Sequence, residues 1–187
     1  MTLDNYSLIF LDFDGVIKES VEIKTRAFVE LFMAYGQDVA SKVKKHHMEN
    51  GGMSRFDKMP IYLKWAGINV DNNSVEFFSK QFGRLVVQGV IDSPWVPGVK
   101  DYLYCNSNLQ KFVLVSATPK DEIDYILKIL EIDSQFERVY GSPTKKYNAI
   151  NTVLSEMDIA LDKCLMIGDA YSDQQAASAN NIDFGSR

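Results

Sequence analysis

Cysteine is nearly absent. Cys105 and Cys164 are the only two, and neither has a partner at metal-type spacing. A disulfide framework is therefore not indicated, and a reducing cytoplasm is the expected setting. Excess positive charge is also missing. Lys+Arg number 20 against Asp+Glu 25, for a net charge of −5, which argues against a nucleic-acid partner, whose phosphates need a basic face. No apolar run approaches the ~20 residues of a membrane span. The opening MTLDNYS lacks the basic segment and apolar block of a secretory signal. Repeats and low-complexity segments are absent as well. The nearest approach to a charge run is Lys42, Lys44, Lys45, His46 and His47. It reads as the solvated side of a helix.

What is present suits a folded protein. Of 187 residues, 46% are hydrophobic and 24% charged, so a sizeable core is expected in one domain, or in one core carrying an insertion. Residues 6–12, YSLIFLD, form a continuous apolar run suited to a strand buried on both faces of a parallel sheet. The period then turns helical. Val21, Ala27, Phe28, Leu31, Phe32 and Tyr35 share a helical face that Gly36 stops. A second helix is predicted from Asp38 to about Met48. A third starts at Ser54, with Asp57 in a capping-box position, and ends at Gly67. A fourth starts near Asn73 or Ser74 and ends before Pro94. Residues 18–92 thus read as an all-helical block.

After Pro97-Gly98 strands and helices alternate. Val99 to Asn106 is helical, and KFVLVS (111–116) is a strand. Pro119 is expected to open a helix in its first turn. Arg138–Tyr140 is a short strand, Lys146–Met157 a helix and CLMIG (164–168) a strand. A small-residue helix spans Ser172–Asn180, and Ile182–Phe184 is a last short strand. This alternation predicts an α/β, Rossmann-like parallel sheet with helices on both faces. Ligands of such sheets sit beyond the carboxyl ends of the strands. Those ends carry Asp12 and Asp14; Ser116 and Thr118; Lys145 and Lys146; and Asp169, with Asp173 one helical turn on.

Carboxylates gathered this closely raise one another's pKa, a conflict that a hard divalent cation such as Mg²⁺ relieves. No histidine or cysteine stands at these ends, which disfavours zinc. Serine and lysine are groups that hold phosphoryl oxygens. One carboxylate of the Asp12/Asp14 pair, beside the metal, can stay ionised and attack phosphorus. The other can carry a proton to the leaving oxygen.

DFDGV (12–16), VSATP (115–119), the lysine pair after GSPT (141–144), and GDAYSD (168–173) together resemble the four motifs of the haloacid dehalogenase superfamily, in the branch of phosphoglycolate phosphatase and beta-phosphoglucomutase. The resemblance covers most of the chain. It implies an α/β core from 1–17 and 93–187 and an inserted helical cap domain at 18–92. It implies Asp12 as the nucleophile that becomes an aspartyl-phosphate, and Asp14 as general acid and then base. Ser116 and Ala117 would bind phosphoryl oxygens. Lys146, with Lys145 as the other candidate, would neutralise charge. Mg²⁺ would be held by Asp12, the backbone carbonyl of Asp14 and Asp169, with Asp173 in support. The cap loop GGMSRFDK (51–58) resembles a loop whose arginine, here Arg55, holds a substrate phosphate, with Lys58 a weaker candidate.

Two departures stand out. Glu19-Ser20 replaces a common Asp-Ser or Asp-Thr pair, and Lys24 stands where the mutase has a histidine. The chain ends at FGSR, where many relatives continue. The expected activity is Mg²⁺-dependent hydrolysis of a small phosphorylated metabolite, with no nucleic-acid or membrane partner. The alternatives are a phosphosugar mutase, a receiver-like signalling module and a non-catalytic binding protein. Oligomeric state is not readable from the sequence.

Overall fold

The fold is described by a computed structural model covering residues 2–187. Five parallel strands, β1 (Leu8–Leu11), β2 (Lys111–Pro119), β3 (Arg138–Ser142), β4 (Cys164–Gly168) and β5 (Asp183–Ser186), form one sheet in the order β3-β2-β1-β4-β5. The first apolar run is therefore the central strand. Its side chains alternate between two separate cores. Leu8 and Phe10 join Val113, Val115, Cys164 and Met166 on one face. Ile9 and Leu11 join Phe112, Leu114 and Leu165 on the other. The register pairs Ile9 with both Phe112 and Leu165, so the layers stay aligned across three strands. Full burial on both faces is why β1 reads as an unbroken hydrophobic run.

The first face is covered by α7 (Lys146–Glu156) and α8 (Tyr171–Ala179), through Ala149, Ile150, Val153, Ala176 and Ala177. The other face takes Leu103 of α5 (Val99–Asn106) and Ile123, Ile126 and Leu127 of α6 (Lys120–Ile129). Pro119 is not the first residue of α6. It is the last of β2, with φ −53° and ψ 142°, and its extended backbone serves as the N-cap.

Between β1 and β2 the chain forms four helices: α1 (Val21–Met33), α2 (Gln37–Glu49), α3 (Arg55–Trp65) and α4 (Asn72–Asp92). They pack through aromatic side chains. Phe28 stacks on Phe82 with centroids 3.9 Å apart, and Tyr62 meets both Phe28 and Phe32 edge-on at 5.3 and 5.6 Å. Ser54 caps α3 by accepting from the Asp57 N–H at 3.2 Å. Asp57 does not complete a capping box, because its carboxylate accepts from the Ser54 hydroxyl at 2.8 Å instead. The full box is at α4, where Asp71 and Ser74 exchange bonds of 2.8 and 3.1 Å. The basic run on α2 is also divided. Its lysines are exposed, but His47 is buried on the face of Ala40 and Val43, because positions 40, 43 and 47 fall on one side of a helix.

Candidate active site

The carboxyl ends of β1, β2 and β4, with the N-termini of α7 and α8, converge at one edge of the sheet. Asp12 follows β1 directly, and its N–H donates to the Ile167 carbonyl at 3.0 Å. Phe13 turns into the core while Asp12 and Asp14 face the same cavity. Gly15, with φ +74°, makes the turn. A Cβ there would strike the Asp169 side chain, whose Cγ would lie 2.8 Å away. Gly168 leaves room in the same way for Asp173.

The two lysines of the pair go separate ways. Lys146 is buried, and its Nζ lies 2.7 Å from Asp12 Oδ2 and 2.5 Å from Asp173 Oδ1. Lys145 is exposed and pairs with Asp57 of α3 at 2.5 Å. Asp173 uses its other oxygen to accept from the Ala170 N–H at 3.1 Å, so it both holds the lysine and caps α8. Ser116 is buried, and its Oγ accepts from the Thr118 N–H at 3.1 Å.

Asp14 has different neighbours. Its carboxylate accepts from the Ser20 hydroxyl at 2.5 Å and pairs with Lys24, whose Nζ also donates to Thr118 Oγ1 at 2.8 Å. These contacts set the two carboxyls apart. Burial pushes Asp12 up to about 7, against the pull of Lys146 and with the charges of Asp173 and Asp14 adding to the rise. Burial would raise Asp14 too, but the Lys24 ammonium and the Ser20 hydroxyl outweigh it and hold the carboxyl below its ordinary value.

Oxygens of Asp12, Asp169 and Asp173 all lie within 4.8 Å of one another. Asp169 is also raised, first by burial and then by Asp173. A set of carboxylates alone, crowded enough to resist ionisation, fits a hard divalent cation. Asp173 spends one oxygen on Lys146 and the other on the Ala170 N–H, and Asp12 spends Oδ2 on Lys146 and Oδ1 on the Phe13 N–H at 2.7 Å; a carboxylate oxygen keeps a second lone pair for an ion beside such a contact.

The helical block closes over this edge. The cavity is walled by Asp12, Asp14 and Asp169 below and by Phe28, Lys58 and Phe82 above. Its free volume is about 50 Å³, room for a few water molecules. Ala117 and residues 51–53 line both this cavity and a neighbouring cleft that holds Ser116, Lys145 and Lys146. Arg55 borders the cavity, but its guanidinium makes bonds of 2.9 and 2.5 Å to Glu122 of α6 and lies over the Phe82 ring. The sequence reading missed three residues here. Lys24 stood out only as a departure, His47 was assigned to solvent, and Glu122 carried no signal. The 40-43-47 spacing was the one available sign that His47 points inward.

A parallel α/β sheet with an acidic cluster beyond the central strand ends defines the class. The chain belongs to the haloacid dehalogenase-like hydrolase family, whose profile matches residues 8–186. No curated protein matches the sequence at a significant level. Among solved structures, a haloacid dehalogenase-like family hydrolase from Streptococcus pneumoniae is 17% identical with a TM-score of 0.67, over 96% of this chain and 83% of that one. A candidate phosphoglycolate phosphatase from Lactobacillus plantarum is 18% identical with a TM-score of 0.72, over 97% and 86%. A candidate haloacid dehalogenase-like hydrolase from Bacteroides fragilis is 15% identical with a TM-score of 0.74, over 96% and 86%. At these identities the likeness concerns the fold.

Two measurements check this geometry. In chelator, Lys146→Met is expected to destabilise the protein by about 3–5 kcal/mol, because it leaves buried carboxylates unpaired. Lys145→Met should cost under about 1 kcal/mol. Equal effects in urea denaturation would contradict the assignment. Lys58, buried beside Lys24, falls from its ordinary 10.5 to about 7, mainly through burial. Between those values the unfolded chain holds a proton that the folded one lacks, so stability rises with pH across that window. Lys58→Met should therefore melt higher than the wild type at pH 6, with the gap narrowing toward pH 10. A lower Tm at pH 6 would contradict it.

Proposed function

We propose that the protein is a Mg²⁺-dependent phosphomonoester hydrolase of the cytoplasm, acting on a small phosphorylated metabolite through an aspartyl-phosphate on Asp12. The observation that carries this reading is the different company of the two aspartates: Asp12 sits on Lys146, and Asp14 sits on Ser20 and Lys24. Two carboxylates in separate environments can take separate roles.

In the first step an Asp12 oxygen attacks phosphorus and the bond to the ester oxygen breaks. Asp14 gives that leaving oxygen a proton, which the negative charge of the incoming phosphate lets it hold against the pull of Lys24. In the second step Asp14 takes a proton from a water whose oxygen attacks the same phosphorus, which releases inorganic phosphate and restores Asp12. Ser116, the Ala117 backbone and Lys146 bind phosphoryl oxygens, and Lys146 also offsets their charge. Asp12, Asp169 and the Asp14 carbonyl would hold Mg²⁺, with Asp173 in support. When bound, the ion neutralises charge between nucleophile and phosphate.

Residues 18–92 act as the cap domain over a core made of 1–17 and 93–187. Arg55 on Glu122, and Asp57 on Lys145, tie the cap down and exclude water during the reaction. The helical block also sets the chain apart from receiver-like modules, which lack such an insertion. Phosphoglycolate, suggested by the candidate enzyme from Lactobacillus plantarum, is one substrate of the right size.

Phosphate release from a metabolite panel tests this directly. Asp12→Asn should lose at least about 10³-fold in rate. Removing Mg²⁺ from the wild type should abolish turnover, and restoring it should bring turnover back. Full activity of Asp12→Asn would overturn the reading.

A further inference from the structure

Four cations face the cavity and its adjoining cleft from within the fold, and three of them already hold a carboxylate. Lys146 has Asp12 and Asp173, Lys24 has Asp14, and Arg55 has Glu122. Lys58 is the exception. It is 1% exposed, and among the described residues no carboxylate lies within salt-bridge distance. Its Nζ meets only His47 Nδ1, at 2.8 Å, and lies 5.8 Å from the centre of the Phe28 ring. An ammonium has donors alone, so Nδ1 is the accepting nitrogen and His47 is the neutral imidazole that steadies the lysine.

A buried cation without an anion burdens the fold, and nothing in the packing of α3 requires one. Lys58 instead lines the same cavity as Asp12, Asp14 and Asp169, from the opposite wall. The stacked Phe28 and Phe82 rings form an apolar wall beside it, and the free volume of the cavity is small.

We infer that Lys58, held by His47, anchors a second anionic group of the substrate, so that the substrate class is a short phosphomonoester also bearing a carboxylate or a second phosphate. This rests on the hydrolase reading for the position of the phosphoryl group, and deepens it. The ester phosphate lies at the Asp12 end. A chain of very few carbons runs along the wall formed by the stacked Phe28 and Phe82 rings. The distal anion supplies Lys58 with the partner the protein withholds. An uncharged substrate of the same length leaves that ammonium unpaired in a closed site, which is a strong basis for discrimination.

The test compares three esters of equal length with Mg²⁺: a phosphorylated three-carbon hydroxy acid, a three-carbon bisphosphate and a phosphorylated three-carbon diol. At least one of the two anionic esters should exceed the neutral one by about tenfold or more in kcat/KM, and which one does so separates carboxylate from phosphate. Lys58→Met, close in volume, should collapse that ratio toward one. Equal turnover of all three by the wild type, or a ratio that survives Lys58→Met, would overturn the inference. Calorimetric binding of phosphonoacetate against ethylphosphonate gives a readout free of turnover. Tighter phosphonoacetate binding in the wild type, lost in Lys58→Met, supports the anchor even if no ester is hydrolysed, in which case only the hydrolase reading fails. Equal binding of the two phosphonates overturns it.

Discussion

The Lys146 ammonium, seated between Asp12 and Asp173, is the contact on which the arrangement depends. It joins the end of the central strand β1 to the first turns of α7 and α8, three pieces far apart in sequence. Without a cation there, buried carboxylates would face one another across the strand ends, and the desolvation cost would favour protonation or opening of the edge. One lysine is not enough to settle the charge. Asp12 stays raised to about 7 and Asp169 is raised as well. That residual strain in charge is what a divalent cation can relieve, and it ties the fold to the chemistry proposed for it.

The rest of the molecule serves this edge. Strand order places β1 in the middle, so Asp12 and Asp14 emerge with β2 on one side and β4 on the other. Alternation of side chains along β1 feeds two separate hydrophobic cores, which leaves the strand end as the place where polar groups meet. The helical block reaches the edge through Lys24, through Phe28, Lys58 and Phe82 on the cavity wall, and through ionic ties such as Arg55 to Glu122 and Asp57 to Lys145. Those ties lie at the margin between block and sheet.

Much of this was legible in residues that sit next to one another. LIFLDFDG announces a buried strand ending in carboxylates, and the strand after KFVL delivers Ser116 to the same edge. That Lys146 rather than Lys145 turns inward was also readable, because Ile150 follows one helical turn later on the buried side. What escaped were pairings between distant segments. Lys24 with Thr118 and Arg55 with Glu122 depend on how the block lies on the sheet, and Lys58 with His47 depends on how α2 and α3 pack within the block; no local spacing encodes either. Pro119 was misplaced by one residue because proline suits both a strand end and a helix start.

The central claim is that Asp12 takes the phosphoryl group. Acid quench of the enzyme during turnover, borohydride reduction of the trapped acyl phosphate and peptide mass spectrometry test it most directly. The account predicts reductive conversion of residue 12 from aspartate to homoserine, dependent on substrate. Sustained phosphate release with residue 12 unmodified, or with the modification at Asp14 or Asp169, would contradict it.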